Sequence, residues 1–315
     1  MTPSLRARLE GGLVGMLVGD ALGVPYEFHP PSAIPPEDRI EFTPPPGFPR
    51  AHPSVPPGTW SDDGAQALCV LASLLERDRL DLDDFAARMV RWRDEGYMAV
   101  DGRAFDIGVQ TSRALASLTA GAGPRGAGPD GERDNGNGSL MRVLPLALWH
   151  RGSDAELASD AADQSRPTHG HVRSRVCCAL YCLWARRLLG GVEDPWTSAV
   201  AALRGVYGDG RDVRALEELD GHVARGMPAG GSGYVLDTLH SARYALERPT
   251  YAEVVRGAIR LGRDTDTTAC VAGGLAGVRD GIEGIPKRWR DALRGSALLT
   301  PLLEGLLARA ARPGP

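Results

Sequence analysis

Lysine is almost missing from this 315-residue chain: Lys287 is the only one, and arginine carries the rest of the positive charge. The bias fits a GC-rich coding sequence. The arginines are dispersed among acids rather than clustered, which argues against a basic nucleic-acid surface. A net charge of −4 offers no strong field toward polyanions or anionic membranes either. Long apolar runs are also absent, since no window approaches the ~18 uninterrupted apolar residues of a membrane span. Met1 to Glu10 lack the apolar core and small-residue cleavage site of a secretory signal. Cysteine is sparse and odd in number: Cys69, Cys177, Cys178, Cys182 and Cys270. With no CxxC pair, neither a disulfide framework nor a thiolate metal site is expected, and the usage points to a reducing cytoplasm. Sustained alternation flanked by hairpin turns is missing too, so no sheet is expected.

What the chain does have is helical periodicity. Apolar residues recur at three- and four-residue steps over Leu5–Leu22, Asp62–Glu76, Asp83–Arg93, Leu140–His150, Val172–Leu189, Tyr234–Leu246, Tyr251–Leu261, Thr265–Val278 and Trp289–Ala311. The expected fold is all-α: one compact many-helix domain over residues 1–311, with a flexible tail at 312–315. Ala269, Ala272, Gly273, Ala276 and Gly277 give the late helix an apolar face of small residues, so another helix axis can approach it closely. Trp60, Trp92, Trp149, Trp184 and Trp289 read as core. Two long loops interrupt the pattern. His29–Gly58 holds eleven prolines, which exclude helix, and Gly121–Gly138 is dense in glycine. Loops of this length inside a domain are commonly functional, and both adjoin the acidic elements described next.

Those elements are Gly19–Phe28, with Asp20 and Glu27, then Trp60-Ser61-Asp62-Asp63-Gly64, and Gly262-Arg263-Asp264-Thr265-Asp266-Thr267-Thr268. In the second and third, hydroxyl residues and paired aspartates stand directly before an apolar helix. N-capping and the helix dipole account for one such site alone. If both helix starts meet, four carboxylates converge. Like charges ~4 Å apart repel by about 4 kcal/mol per pair at an effective dielectric of 20, more than dipoles worth ~0.3–1 kcal/mol offset. Either protons or cations must then sit among them. Asp, Ser and Thr oxygens without His or Cys select a hard ion, Mg2+ or Mn2+. The third element also fits the DxDxT of haloacid-dehalogenase-type phosphatases, but that motif follows a strand near the start of its domain. An EF-hand is excluded by Ala269 and Leu275 at the positions that need glycine and glutamate.

These residues, in this order, resemble the ADP-ribosylglycohydrolases, typified by dinitrogenase-reductase-activating glycohydrolase. The resemblance runs over roughly residues 10–292 and adds Asn135-Gly136-Asn137-Gly138-Ser139-Leu140-Met141-Arg142, Thr168-His169 and Gly231-Ser232-Gly233-Tyr234-Val235. It implies an all-α fold with a central binuclear site for two Mg2+ or Mn2+ ions. It implies metal-ligand positions at Ser61, Asp62, Asp63, Asp264, Asp266 and Thr267. Catalytic positions fall at Glu27, Asp62 or Asp63 for orienting or deprotonating water, with Asp134 near the departing group. Asn137, Gly138, Ser139, Met141, His169 and Tyr234 fall where ADP-ribose is bound. The glycine loop opening a helix at Leu140 offers free amides and a helix N-terminus to the pyrophosphate.

The resemblance thus implies hydrolysis of the bond between ADP-ribose and a modified target, with arginine linkage as the default. Nucleic acid is a partner only if it is that target. Two departures stand out: Gly64 where the family has a threonine, and Arg263 where it has a glycine. A catalytically weak ADP-ribose sensor, and a hydrolase of another ADP-ribosyl molecule, are the alternative readings.

Overall fold

A computed structural model describes residues 2–208 and 212–312. Residues 313–315 of the expected tail lie outside the described residues. Among the described residues there are fourteen α-helices and no sheet. In chain order they are α1 (Leu5–Gly23), α2 (Asp62–Arg77), α3 (Leu82–Glu95), α4 (Val109–Thr119), α5 (Leu144–Trp149), α6 (Asp154–Ser165) and α7 (Val172–Leu189). The second half holds α8 (Pro195–Gly208), α9 (Val213–Glu218), α10 (Val235–Leu246), α11 (Tyr251–Ile259), α12 (Thr265–Asp280), α13 (Lys287–Ala292) and α14 (Ser296–Ala311).

The centre of the fold is an antiparallel crossing of α1 and α12. Gly11, Gly15, Gly19 and Gly23 recur every fourth residue along one face of α1 and meet Gly277, Gly273, Ala269 and Asp266 in reverse order. A Cβ at Gly15 would stand 2.7 Å from the Gly273 carbonyl oxygen, and the other three positions are tighter still. Only bare backbone lets two helices lie this close. Hydroxyls lock the pair from the sides, since Tyr251 of α11 donates to the Gly15 carbonyl (2.6 Å) and Tyr181 of α7 to the Val271 carbonyl (2.9 Å). The small-residue face read from the sequence is therefore the central contact. It carries the exit of α1 to the entrance of α12.

The rest of the core follows the apolar periodicity. Cys177, Cys178 and Cys182 are buried and free within α7, and the five tryptophans read as core are buried. No described helix is long and apolar enough to cross a membrane. Two expected helices are corrected. The segment from Leu140 is a turn, and α5 starts only at Leu144. Pro145 lacks an N–H and fits only the first turn of a helix. The span Trp289–Ala311 is two helices, broken at Gly295, whose φ of 84° no right-handed helix contains.

The proline-rich stretch after His29 is a strap pinned along its length rather than a free loop. Tyr26 Oη donates to the Glu41 carbonyl (2.8 Å). The Glu41 carboxylate receives Arg256 (2.6 Å), Arg288 (2.8 Å) and the Trp289 indole N–H (2.5 Å). Ile34, Ile40, Phe42 and Val55 are buried beneath it. Its last part turns back to the end of α1, where the Ala51 amide donates to the Pro25 carbonyl (3.1 Å).

Candidate active site

The crossing of α1 and α12 delivers the acidic elements to one place. Asp20, fully buried near the end of α1, accepts from the amides of Ser61 (3.0 Å) and Gly64 (2.8 Å), which fixes the start of α2 against α1. Ser61 caps α2 as its sequence predicts, accepting from the Asp63 amide (3.2 Å). Thr265 Oγ1 donates to the Gly23 carbonyl (2.8 Å) and fixes the start of α12. The two helix starts then touch, with Thr267 Oγ1 3.4 Å from Asp63 Oδ1. Asp264 does not cap α12 with its side chain; its carboxylate accepts from Asn137 Nδ2 (2.8 Å). Carboxylate oxygens of Glu27, Asp264 and Asp266 lie within 4.8 Å of one another.

This concentration of negative charge is out of balance. Burial first, then neighbouring carboxylates, raise the pKa of Asp62, Asp63 and Asp266 well above the usual range. Burial, followed by Asp106 and Asp264, pushes Glu27 up to about 10. Burial pushes Asp20 up to about 7 despite the amides it accepts from. Asp63 Oδ2 and both carboxylate oxygens of Asp266 are buried and have no hydrogen-bond partner among the described residues. A buried carboxylate without a donor is costly unless it is protonated or coordinates a cation. All the donors are oxygens of Asp, Ser and Thr, with Glu27 beside them. This set fits hard divalent cations.

Above the cluster is a cavity of about 310 Å³. Glu27, Asp62, Asp63, Asp106, Asp264 and Thr267 give it an acidic floor, and Gly136, Asn137, Gly138, Met141, His169 and Gly233 form one wall. Phe28 and Val109 line it and are 69% and 78% exposed, so they stand at its mouth. The wall is held by a bridge between Gly136 and Tyr234, with the Asn137 amide donating to the Gly233 carbonyl (3.1 Å). Among the described residues nothing accepts from the amides of Gly138 and Ser139. Leu140 and Met141 both donate back to the Asn137 carbonyl. The glycine segment is thus a tight turn with spare amides, not the helix start expected from the sequence.

A buried polar chain runs behind this wall. Gln66 Nε2 donates to Asp62 Oδ2 (2.9 Å), and Arg142 donates to Gln66 Oε1 (2.9 Å) and to Thr168 Oγ1 (2.7 Å). The Thr168 hydroxyl, which accepts from Arg142, lies 2.8 Å from His169 Nδ1. If Thr168 donates there, the His169 N–H stands on Nε2. Burial first, and Arg142 second, hold its pKa well below the usual histidine range. Its Nε2 would lie 3.3 Å from a Cβ at Gly136 or Gly138, so the ring packs directly behind the glycine turn.

Several positions differ from the sequence expectation. Asp134 does not line the cavity. Its carboxylate accepts from the Gly131 amide (3.2 Å) in its own loop and faces Arg113 (3.7 Å). Ser139 turns its hydroxyl into the core, toward Ser165 (2.8 Å); it is fully buried and does not line the cavity. Tyr234 braces the wall from behind, its hydroxyl accepting from Arg173 (3.3 Å). Gly64 has no space for a side chain, because Leu17 and Trp60 fill the position a threonine would take. Arg263 points outward and is exposed; its backbone clamps the acidic segment, accepting from the Phe28 amide (2.6 Å) and donating to the His29 carbonyl (2.6 Å).

Sequence reasoning missed two residues. Asp106 lines the cavity and raises the pKa of Glu27, Asp62 and Asp266. His52, from the far end of the proline strap, reaches Glu27 Oε2 at 2.8 Å. Neither sits in a local pattern that marks it out.

Comparison with known proteins places this geometry in context. A model of the ADP-ribosylglycohydrolase family matches residues 1–315. An ADP-ribosylarginine hydrolase of Pseudomonas putida is 31% identical over 314 residues, covering 96% of this chain and 78% of its own. The ADP-ribosyl-(dinitrogen reductase) glycohydrolase of Rhodospirillum rubrum is 29% identical, covering 92% of each chain. A solved structure described as an ADP-ribosylglycohydrolase-related protein complex superposes with a TM-score of 0.77 at 32% identity, covering 97% of this chain and 99% of its own.

Proposed function

The chain belongs to the ADP-ribosylglycohydrolase family, and we propose that it hydrolyses the N-glycosidic bond between ADP-ribose and an arginine side chain of a modified protein, with two Mg2+ or Mn2+ ions as cofactors. The observation that carries this reading is the set of partnerless buried carboxylate oxygens on Asp63 and Asp266 beneath a cavity walled by spare amides. The arginine linkage is favoured by the relatives whose names specify it.

Ser61, Asp62, Asp63, Asp264, Asp266 and Thr267 would hold the cations, which when bound supply charge neutralisation and Lewis acidity. The Gly138 amide and the His169 ring donate to the ADP-ribose. Asn137 keeps Asp264 in place, and Met141 packs against the sugar side of the cavity. Glu27 orients a water toward the anomeric carbon and takes its proton as the new C–O bond forms. The C–N bond breaks, and the leaving nitrogen gains a proton, so that one water is consumed overall. Asp106, rather than Asp134, is the carboxylate placed to hold the departing guanidine. The aromatic mouth at Phe28 suits the flat leaving group.

Glu27→Gln keeps the shape of the side chain but removes the base. It is expected to lower turnover by about a thousandfold, the middle of the range for a positioned acid or base. Free ADP-ribose, titrated calorimetrically, should bind the variant as it binds the parent. Undiminished release of ADP-ribose by Glu27→Gln would remove Glu27 from the mechanism.

A further inference from the structure

Among the described residues, His52 is the only basic side chain hydrogen-bonded to a carboxylate lining the cavity. Its Nε2 lies 2.8 Å from Glu27 Oε2 and 3.7 Å from Asp106 Oδ1. The ring is bracketed by two aromatics, Phe28 at 5.7 Å and Phe105 at 5.2 Å between centroids. We propose that His52 is a positioning residue of the reaction: it fixes the rotamer of Glu27 and leaves the second carboxylate oxygen for water. This rests on the reading of Glu27 given above.

Three observations carry it. With cations in the site Glu27 would be ionised and could only accept, so the contact would then require the proton on Nε2. It occupies Oε2, and among the described residues no N–H donates to Oε1. The backbone is held in an uncommon conformation around this contact. Phe28 (φ 63°), His52 (φ 48°) and Asp106 (φ 61°) are all non-glycine residues in the left-handed region. Such conformations persist only where surrounding structure imposes them, and they gather at functional sites. Finally, the Ala51 amide bond to the Pro25 carbonyl ties the residue before His52 to the segment that carries Glu27. The strap thus ends in a side chain aimed at one oxygen. A carboxylate that must aim a water benefits when its own orientation is fixed by a neighbour.

The test compares His52→Leu, His52→Gln and Glu27→Gln with the parent. Leucine fills the space between the two phenylalanines without a donor, and glutamine restores an N–H at similar reach. Readouts are kcat and KM for release of ADP-ribose from a protein ADP-ribosylated on arginine, calorimetric affinity for free ADP-ribose, and the melting temperature. For His52→Leu, kcat should fall about 10- to 100-fold, the usual cost of losing an orienting partner. KM and ADP-ribose affinity should change by less than about threefold, because the loss falls on the transition state. His52→Gln should recover most of the lost kcat.

Wild-type kcat in His52→Leu beside an inactive Glu27→Gln would overturn the role of His52 alone. So would equal losses in the leucine and glutamine variants, since packing and not the donor would then matter. Faster turnover in His52→Leu would also overturn it and make the ring an obstacle to the leaving group. An active Glu27→Gln would remove the reading of Glu27 itself, and this one with it.

Discussion

Asp266→Asn is expected to lose about a thousandfold in turnover, as when a group stabilising transition-state charge is removed, yet to melt at a higher temperature than the parent in chelator. Both effects come from the same partnerless oxygens. Without cations, the cluster must hold protons to stay folded. The pKa values of Asp62, Asp63 and Asp266 are raised well above the usual range by burial, and Asp20 is raised to about 7. A raised carboxylate binds its proton more tightly folded than unfolded. Below about pH 4 both states are protonated and nothing is lost. As the pH rises, the unfolded chain ionises freely while the folded chain either keeps the proton or ionises in a buried cluster. Stability therefore falls with rising pH, because the folded state binds more protons.

Melting temperature in chelator should accordingly drop between pH 5 and 8, and Mn2+ should flatten the curve. In Asp266→Asn one buried charge is replaced by an amide that can donate to a neighbouring carboxylate. The variant should then melt higher in chelator, show a shallower pH slope and gain less from Mn2+. Circular-dichroism melts over this pH range, with and without Mn2+, give all three. A parent slope retained in the variant would contradict the electrostatic account of the cluster.

Arg142→Met should cost about 1–3 kcal/mol of stability, the range found when a buried acceptor is left without its donor. Arg142 is fully buried and has no carboxylate partner among the described residues. Its charge is accommodated by Gln66, Gln164, the Gln164 carbonyl and Thr168, with the Phe85 ring 5.1 Å away. Burial lowers its pKa only to about 10, so it remains cationic at neutral pH. Methionine fills part of the volume but leaves these acceptors without donors.

The same change should reduce turnover in whatever protein remains folded. Gln66 would lose its hold on Asp62, and Thr168 would be free to reorient His169. Arg142→Lys should not rescue, because one ammonium cannot reproduce the planar fork that reaches Gln66, Gln164 and Thr168 together. Urea unfolding followed by circular dichroism measures the loss; an unchanged midpoint would show that the network contributes little.

Much of this site is legible in the sequence because its chemistry is local. Ser61-Asp62-Asp63 and Asp264–Thr268 stand directly before apolar helices, and a helix start with surplus carboxylates is visible without a structure. The small-residue face of α12 likewise announces a close helix crossing. Asp106 and His52 are not visible in this way. Each lies in irregular backbone, far in sequence from the residues it meets, and is placed by tertiary packing alone. Asp134 shows the converse: it adjoins the glycine turn in sequence, yet its loop has already turned it toward Gly131 and Arg113.

The helices show the same division. The segment α7 matches its apolar run to the residue, Val172–Leu189. By contrast α4, α6, α8 and α9 are not anticipated, although in α8 Trp196, Ala199, Val200, Leu203 and Tyr207 recur at helical spacing. In α6 a capping box at Ser153 and Glu156 was the available sign. Periodicity alone overruns Pro145, which belongs in the first turn of a helix, and Gly295, which separates two helices.

The most direct test of the account is ADP-ribose release from a protein ADP-ribosylated on arginine, using enzyme dialysed against chelator and then supplied with Mn2+ or Mg2+. The account predicts no release in chelator, recovery with either ion, and no recovery in Asp266→Asn. Equal release with and without chelator would contradict it.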